Sequence, residues 1–155
     1  MTQKEAINIR PLGFGDAEGW SRLWHSYLTE HRFIMRSSAR RALLRQLTSQ
    51  NGRDGALIAE VGGQPVGFAH YRIKRAPFLF ENALYLHDVF VLPTCRGTGR
   101  DTGVAASLIR AVYATAYAQE VPGVYWLDAP TKLLRSGSAP ALGDDPKDRT
   151  TEKAA

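Results

Sequence analysis

Two Arg-x-x-Gly units follow one another in this sequence, beginning at Arg96 and at Arg100, within "VLPTCRGTGRDTGVAASLIRAV" (residues 91–112). They join an apolar, strand-like segment to a segment with helical apolar periodicity. The first amides of a helix lack intrahelical partners, and the helix dipole adds partial positive charge at that end. Glycine lets an anion approach the main chain, and arginine adds a forked cationic donor. The stretch therefore predicts a site for a phosphate-bearing ligand.

Two common phosphate-binding motifs do not fit this stretch. A P-loop requires Gly-Lys-Ser/Thr, and no lysine occurs between Lys74 and Lys132. A dinucleotide fingerprint requires Gly-x-Gly-x-x-Gly, and the third glycine position after Gly97 and Gly99 is Thr102. A glycine-rich turn without any ligand remains the structural alternative.

The preceding strand, "YLHDVFV", carries the side chains that could move a proton. Strict alternation predicts that His87 shares one face with Tyr85, Val89 and Val91, and that Asp88 lies on the opposite face. An imidazole with a pKa near 6.5 can accept a proton at neutral pH, so His87 is the candidate base. A core histidine that is only hydrogen-bonded is the equally weighted alternative, and no histidine spacing suggests a metal site.

The elements that must position these residues follow from periodicity and turn signals. Asp16 is a candidate N-cap for a first helix, a second helix is predicted to start at Ser37 or Ser38, and Gly62-Gly63 predicts a hairpin. The predicted order is βααβββαβ, with strands over residues 7–12, 56–61, 65–73, 83–91 and 123–127 and a third helix over residues 103–118.

Composition bounds the function classes. The 155 residues, 44% of them hydrophobic, allow one domain, and the single Cys95 excludes an internal disulfide. No apolar run approaches the roughly 18 residues of a membrane span, so we expect a cytoplasmic protein without a membrane partner. The net charge of +5 comes from residues 1–127. Such an excess is compatible with nucleic acid, an anionic membrane or a phosphate-bearing small molecule, and composition alone does not choose among them. As a function, a nucleic-acid-binding module is the weakest alternative.

The segment over residues 85–112 resembles the central motif of the GNAT superfamily of acyl-CoA N-acetyltransferases: a strand ending in apolar-x-Pro, Arg-x-x-Gly-x-Gly/Ala, and a helix with Leu108-Ile109. The resemblance covers residues 7–127 and is nearest to the branch that acetylates small amines and polyamines. It implies a mixed, mostly antiparallel sheet flanked by helices. It also implies acetyl-CoA as co-substrate, no metal, and a small-molecule amine as substrate, acetylated by direct attack in a ternary complex.

The resemblance also assigns roles to residues. His87 stands where the polyamine branch has a glutamate, which makes it the candidate catalytic group. Measured from the helix, Arg100 begins the loop; measured from the strand, Arg96 does, and we favour the helix-side alignment because the amide donors belong to the helix start. The resemblance implies Trp24 and Tyr27 as substrate-binding residues, with core packing as their alternative, and Asp88 is a candidate to bind a cationic substrate or a helix end. The implied cofactor-binding residues are Val89, Phe90, Val91, Arg96, Gly97, Gly99, Arg100, Gly103 and Ala105.

The pattern departs from the family after residue 127. The Asn-x-x-Ala-x-x-x-Tyr helix, whose tyrosine commonly protonates the leaving thiolate, has no counterpart in residues 128–155, which contain no aromatic residue. We predict an incomplete domain over residues 1–127, without the C-terminal strands, and a disordered or atypical tail over residues 128–155. An exposed last strand favours self-association, such as a homodimer. The rival function is a non-catalytic remnant that binds CoA or a partner.

Overall fold

The computed structural model describes residues 5–77, 80–96 and 103–126. Its helices and strands follow the predicted order βααβββαβ. They are β1 (Ile7–Pro11), α1 (Ala17–Glu30), α2 (Ser37–Thr48), β2 (Asp54–Val61), β3 (Gln64–Arg75), β4 (Asn82–Val91), α3 (Val104–Ala118) and β5 (Val124–Trp126).

The strands form one sheet in the spatial order β1-β2-β3-β4-β5. The first four pair antiparallel with their neighbours in sequence, whereas β5 pairs parallel to β4 after the α3 crossover. The predicted mixed, mostly antiparallel α/β fold is therefore confirmed for the described residues. The predicted tail and the predicted loss of C-terminal strands fall on residues outside the described part of the chain.

Helices cover both faces of the sheet. One core cluster lies under α3, where Leu108 and Val112 are fully buried against the sheet. The other lies under α1 and α2, where Trp20 and Phe68 are fully buried. Each such side chain stabilises the fold by roughly 2 to 3 kcal/mol through removal of apolar surface from water. Helices therefore cover both faces of the sheet, so a ligand can reach only its edges and strand ends.

Two glycines adopt positive φ angles, which other residues adopt less readily. Gly62 and Gly63 adopt φ angles of 57° and 76°, which confirms the hairpin predicted between β2 and β3. The first helix begins after Asp16 as predicted, although the Asp16 carboxylate does not cap it. That carboxylate accepts the Gly13 amide at 2.7 Å and pairs with Arg10 instead.

Among the described residues, none of the helices combines the length and apolar character required to cross a membrane.

Candidate active site

Strand β4 carries one extra residue opposite β3. The pairing runs from His70 opposite Asp88 directly to Tyr71 opposite Leu86, so His87 has no partner position of its own. This is a β-bulge, a device that bends a strand and re-aims its side chains and that is frequent next to active sites.

The bulge changes which side chains share a face. Leu86 and Val89 both join the core cluster under α3 although they are three residues apart. His87 and Asp88, which lie between them, therefore both point to the α1 side of the sheet. The prediction that Asp88 faces away from His87, and that Tyr85 shares a face with Val89, is wrong because strict alternation holds only in a strand without an inserted residue.

A chain of hydrogen bonds, buried at Trp20 and His70 and partly exposed at Asp88, lies on the α1 side of the bulge. The indole Nε1 of Trp20 donates to Nε2 of His70 at 2.9 Å, and His70 Nδ1 lies 3.2 Å from Oδ2 of Asp88. Tyr27 donates its hydroxyl to Oδ1 of Asp88 at 2.6 Å. An indole N–H can only donate, so Nε2 of His70 is unprotonated and its proton lies on Nδ1, facing Asp88. The chain has one consistent set of donors and acceptors.

The environment sets the charge state of this chain. Complete burial lowers the pKa of His70 below its usual 6.5, and the neighbouring carboxylate opposes that shift only in part. Burial alone would raise the pKa of Asp88, but the hydrogen bonds from His70 and Tyr27 hold it below its usual 3.8. Burial and the bond to Asp88 raise the pKa of Tyr27 well above 10.0. At neutral pH, Asp88 is therefore a carboxylate between two neutral donors.

His87 differs from His70 because its buried Nε2 has no hydrogen-bond partner among the residues that the structure describes. Burial lowers the pKa of His87 below 6.5; Asp88 opposes this, and the cations Arg72 and Lys74 add to it. The ring is therefore neutral at pH 7, and a neutral imidazole has one nitrogen that can accept a proton. An unpaired buried nitrogen is costly in a folded protein, which marks this position as a candidate for chemistry.

Among the described residues, no strand pairs with the far half of β4 on the side of β5, and we call this side the open edge. The described pairing of β5 with β4 ends at Leu86 opposite Trp126, while β4 continues to Val91. Leu92 donates its amide to the carbonyl of Val66 in β3 at 2.8 Å. Antiparallel alternation then turns the main-chain groups of Val91 towards the open edge.

The same alternation separates the three residues that the sequence assigned to this edge. Val89 presents its main-chain N–H and C=O to the open side, as Val91 does, whereas Phe90 turns its main-chain groups towards β3. The ring of Phe90 is 1% exposed and lies in the core under α1. An open edge with alternating donors and acceptors fits an amide-bearing arm such as that of CoA.

The start of α3 lies beyond the end of β4. Gly103 occupies the N-cap, and the first α-helical bond runs from the Ser107 amide to the Gly103 carbonyl at 3.1 Å. The amides that precede this bond, including that of Ala105, lack intrahelical partners and are suited to an anion. Gly97, Gly99 and Arg100 fall outside the described residues.

Arg96 is engaged within the protein. Its guanidinium donates to both carboxylate oxygens of Glu30, at 3.0 Å and 2.6 Å, and its Nε donates to the Val91 carbonyl at 2.9 Å. The guanidinium also lies 5.5 Å from the centre of the Phe90 ring. Of the predicted substrate residues, Trp24 is only 5% exposed and stacks on Tyr27, so it forms part of the core beneath the site.

Sequence reasoning missed Trp20, His70 and Glu30 as parts of this arrangement. The signal for His70 was present, because a histidine in an otherwise apolar strand, beside a strand that carries Asp88, is detectable in the sequence. Glu30 gave no local signal, because its partner Arg96 is distant in sequence and the bond depends on how α1 crosses the sheet.

A separate cleft of about 700 Å³ lies between the ends of β1 and α2 and the start of β2. It is lined partly by Phe14, Arg45 and Tyr71. The carboxylate in its lining, Asp54, forms an ion pair with Arg72, and we assign no catalytic or binding role to this cleft. Among the described residues, there is also no group of three or more potential metal ligands.

A family model described as the acetyltransferase (GNAT) family matches residues 20–132. The chain is also 30% identical over 125 residues to the D-amino-acid N-acetyltransferase HPA3 of Saccharomyces cerevisiae, across 79% of this chain and 75% of that protein. The chain belongs to the GNAT family. The bulged strand, its open edge and the start of α3 are therefore the candidate active site of a GNAT protein.

Solved structures agree with this GNAT assignment at the level of the fold. An aminoglycoside N-acetyltransferase, AAC(6')-Iy in complex with CoA, superposes with a TM-score of 0.71 at 21% identity, covering 87% of this chain and 85% of that one. A ribosomal-protein-alanine N-acetyltransferase from Brucella melitensis biovar Abortus gives 0.67 at 23% identity, covering 90% and 96%.

Proposed function

We propose that the protein transfers an acetyl group from acetyl-CoA to the primary amine of a small molecule, by direct attack within a ternary complex. The observation that carries the proposal is the edge of β4 at Val89 and Val91, with which no described strand pairs, next to the first turn of α3, in a chain of the GNAT family. The similar proteins support an amine as acceptor, since their names refer to D-amino acids, an aminoglycoside and a protein alanine.

The main chain of this region binds acetyl-CoA in the proposal. Val89 offers its N–H and C=O groups and Val91 its N–H group to the pantetheine arm, and one of those N–H groups polarises the thioester carbonyl on which negative charge develops. The first turn of α3, together with Arg100, holds the diphosphate. Acetyl-CoA supplies the activated acyl group, and no metal is needed to polarise it.

The amine must lose a proton to react. A free alkylammonium has a pKa of about 10.4, so the attacking nitrogen arrives protonated and a base must be present. His87, neutral at pH 7 with an unpaired buried Nε2, accepts that proton directly or through water. The nitrogen then forms a bond to the carbonyl carbon, the bond from carbon to sulfur breaks, and the CoA thiolate leaves.

Asp88 gives the site its negative charge. Its carboxylate is held in place by Tyr27 and His70, with 23% of the side chain exposed. A fixed carboxylate on the same face as His87 attracts an alkylammonium and raises its local concentration. In the proposal, Asp88 therefore acts as an electrostatic anchor for the acceptor.

Calorimetric titration with acetyl-CoA, followed by thiol release in the presence of D-amino acids, aminoglycosides and polyamines, tests the proposal. We expect saturable binding and amine-dependent release of one thiol per acetylated product, identified by mass spectrometry. The His87→Gln variant is the matched control, since it should bind acetyl-CoA as the wild type does but turn over slowly. Binding without thiol release for every amine would favour the non-catalytic CoA-binding alternative.

A further inference from the structure

Arg96 is the first arginine of the two Arg-x-x-Gly units. It forms its hydrogen bonds to groups of the protein itself. The two terminal nitrogens of its guanidinium donate to the Glu30 carboxylate, and its Nε donates to the Val91 carbonyl. One face of the guanidinium lies over the ring of Phe90. We call this set, Arg96 with Glu30, Phe90 and Val91, the Arg96 latch. A bidentate arginine–carboxylate pair is the strongest geometry that an ion pair of this kind adopts.

The latch joins two elements that have different tasks in the site. Glu30 is the last residue of α1, the helix that also holds Asp88 through Tyr27. Val91 is the last residue of β4, whose open edge is the proposed place of the pantetheine arm. The latch therefore fixes the acceptor side of the site against the cofactor side, at the point where the loop to α3 begins.

The position of Glu30 opposes a phosphate at this arginine. Its hydrogen bonds from Arg96 lower the pKa of Glu30 below 4.5, so the carboxylate is charged at neutral pH. A diphosphate bound by the same guanidinium fork would have to displace Glu30 and then lie beside its negative charge.

We propose that Arg96 is a positioning residue that locks the end of α1 to the end of β4 and so sets the start of the diphosphate loop, leaving the diphosphate to the second unit at Arg100. The inference rests on the proposed function for the identity of the ligand, but the latch itself is a property of the free protein.

A charge swap tests the latch. The variants are Arg96→Glu, Glu30→Arg and the double variant, and the readouts are the melting temperature without ligand and the dissociation constant for acetyl-CoA. Each single variant places like charges together and should melt about 4 °C lower than the wild type. Each should also bind acetyl-CoA about fivefold more weakly, because the loop starts from a displaced point. The double variant restores the pair in reverse and should recover most of both losses.

The chain offers a matched control for the change in net charge. Arg22 and Glu18 form another ion pair on α1, at 3.8 Å, with side chains that are 70% and 87% exposed. The variants Arg22→Glu and Glu18→Arg change the net charge by the same amounts as Arg96→Glu and Glu30→Arg, and neither residue contacts β4. They should leave both readouts within about twofold or 1 °C of the wild type, as expected of exposed pairs.

Two results would overturn the inference. If the double variant regains its melting temperature but binds acetyl-CoA as weakly as Arg96→Glu alone, Arg96 contacts the diphosphate directly. If neither single variant melts lower than the wild type, the latch does not join α1 to β4. Failure of the wild type to bind acetyl-CoA would instead refute the proposed function, and the melting temperatures of the four proteins would still decide the latch.

Discussion

Trp20 donates its indole proton to Nε2 of His70 across 2.9 Å, and this bond fixes the proton of His70 on the side of Asp88. The two residues come from α1 and β3, and both are buried. Because the indole occupies Nε2, His70 cannot take a second proton without losing that bond. The contact therefore ties the protonation of a buried histidine to the packing of α1 on the sheet.

The first prediction is that stability falls as the pH falls from 7 to 5. The folded protein lowers the pKa of His70 and of His87 below 6.5, so below that pH the unfolded chain binds more protons than the folded one. Stability is thus fully present above pH 6.5 and is lost on acidification. In Trp20→Phe, Nε2 is free to accept a proton, and the loss between pH 7 and 5 should be smaller. Urea denaturation at each pH measures this; an equal loss in both proteins would contradict it, and His25→Gln serves as the exposed control.

The second prediction concerns the hydroxyl of Tyr27. Removing it in Tyr27→Phe leaves Oδ1 of Asp88 without its 2.6 Å donor, and a hydrogen bond to a charged group contributes about 2 kcal/mol. The free energy of unfolding at pH 7 should fall by about that amount, as measured by chemical denaturation. Tyr117→Phe, on a side chain that is 87% exposed, should change it little. Equal values for the two variants would show that the bond to Asp88 adds nothing.

The third prediction tests the close packing of β3 on the end of β4. A Cβ added at Gly67 would lie 2.6 Å from the carbonyl oxygen of Phe90, within the ladder next to the open edge. Gly67→Ala should therefore destabilise the protein by about 2 kcal/mol, since main chain must shift to admit the methyl group. Gly15→Ala is the control, because nothing lies within 4 Å of its added Cβ. Thermal melts of the two variants would disprove the argument if they coincided.

The fourth prediction is a change in the pH profile of turnover. The base form of His87 is favoured by its lowered pKa, so kcat/KM of the wild type should hold down to below pH 6.5 and then fall. His87→Gln should lower kcat about 100-fold and remove that acid limb, with the affinity for acetyl-CoA unchanged. Retention of the limb in the variant would assign it to another group.

The fifth prediction locates the diphosphate. Arg100→Ala should weaken the binding of CoA about 20-fold, as expected for loss of a charge-assisted bidentate contact. The same variant should bind acetyl-pantetheine, which has no diphosphate, as the wild type does. Equal affinities of variant and wild type for CoA would place the diphosphate elsewhere.

Much of the fold can be predicted from local sequence patterns. The helix from Ala17 to Glu30 follows from apolar spacing, and the turn at Gly62-Gly63 follows from the need for positive φ. Such features depend on residues that are near one another in the chain. The extra residue at His87 in β4 cannot be predicted from the sequence of β4 alone, because a bulge is defined by pairing with the neighbouring strand.

Local patterns in the sequence predict the class of protein: the order of elements, the apolar faces, and a glycine- and arginine-rich segment that resembles the loop of one enzyme family. The contacts between residues that are distant in sequence depend on the fold. Only the crossing of α1 over β3 and β4 brings Trp20, His70 and Asp88 into one chain of hydrogen bonds and closes Glu30 on Arg96. The physical reason is that a local pattern reports a residue's own conformational and burial preference, whereas charge states and hydrogen bonds depend on groups that lie far apart in sequence.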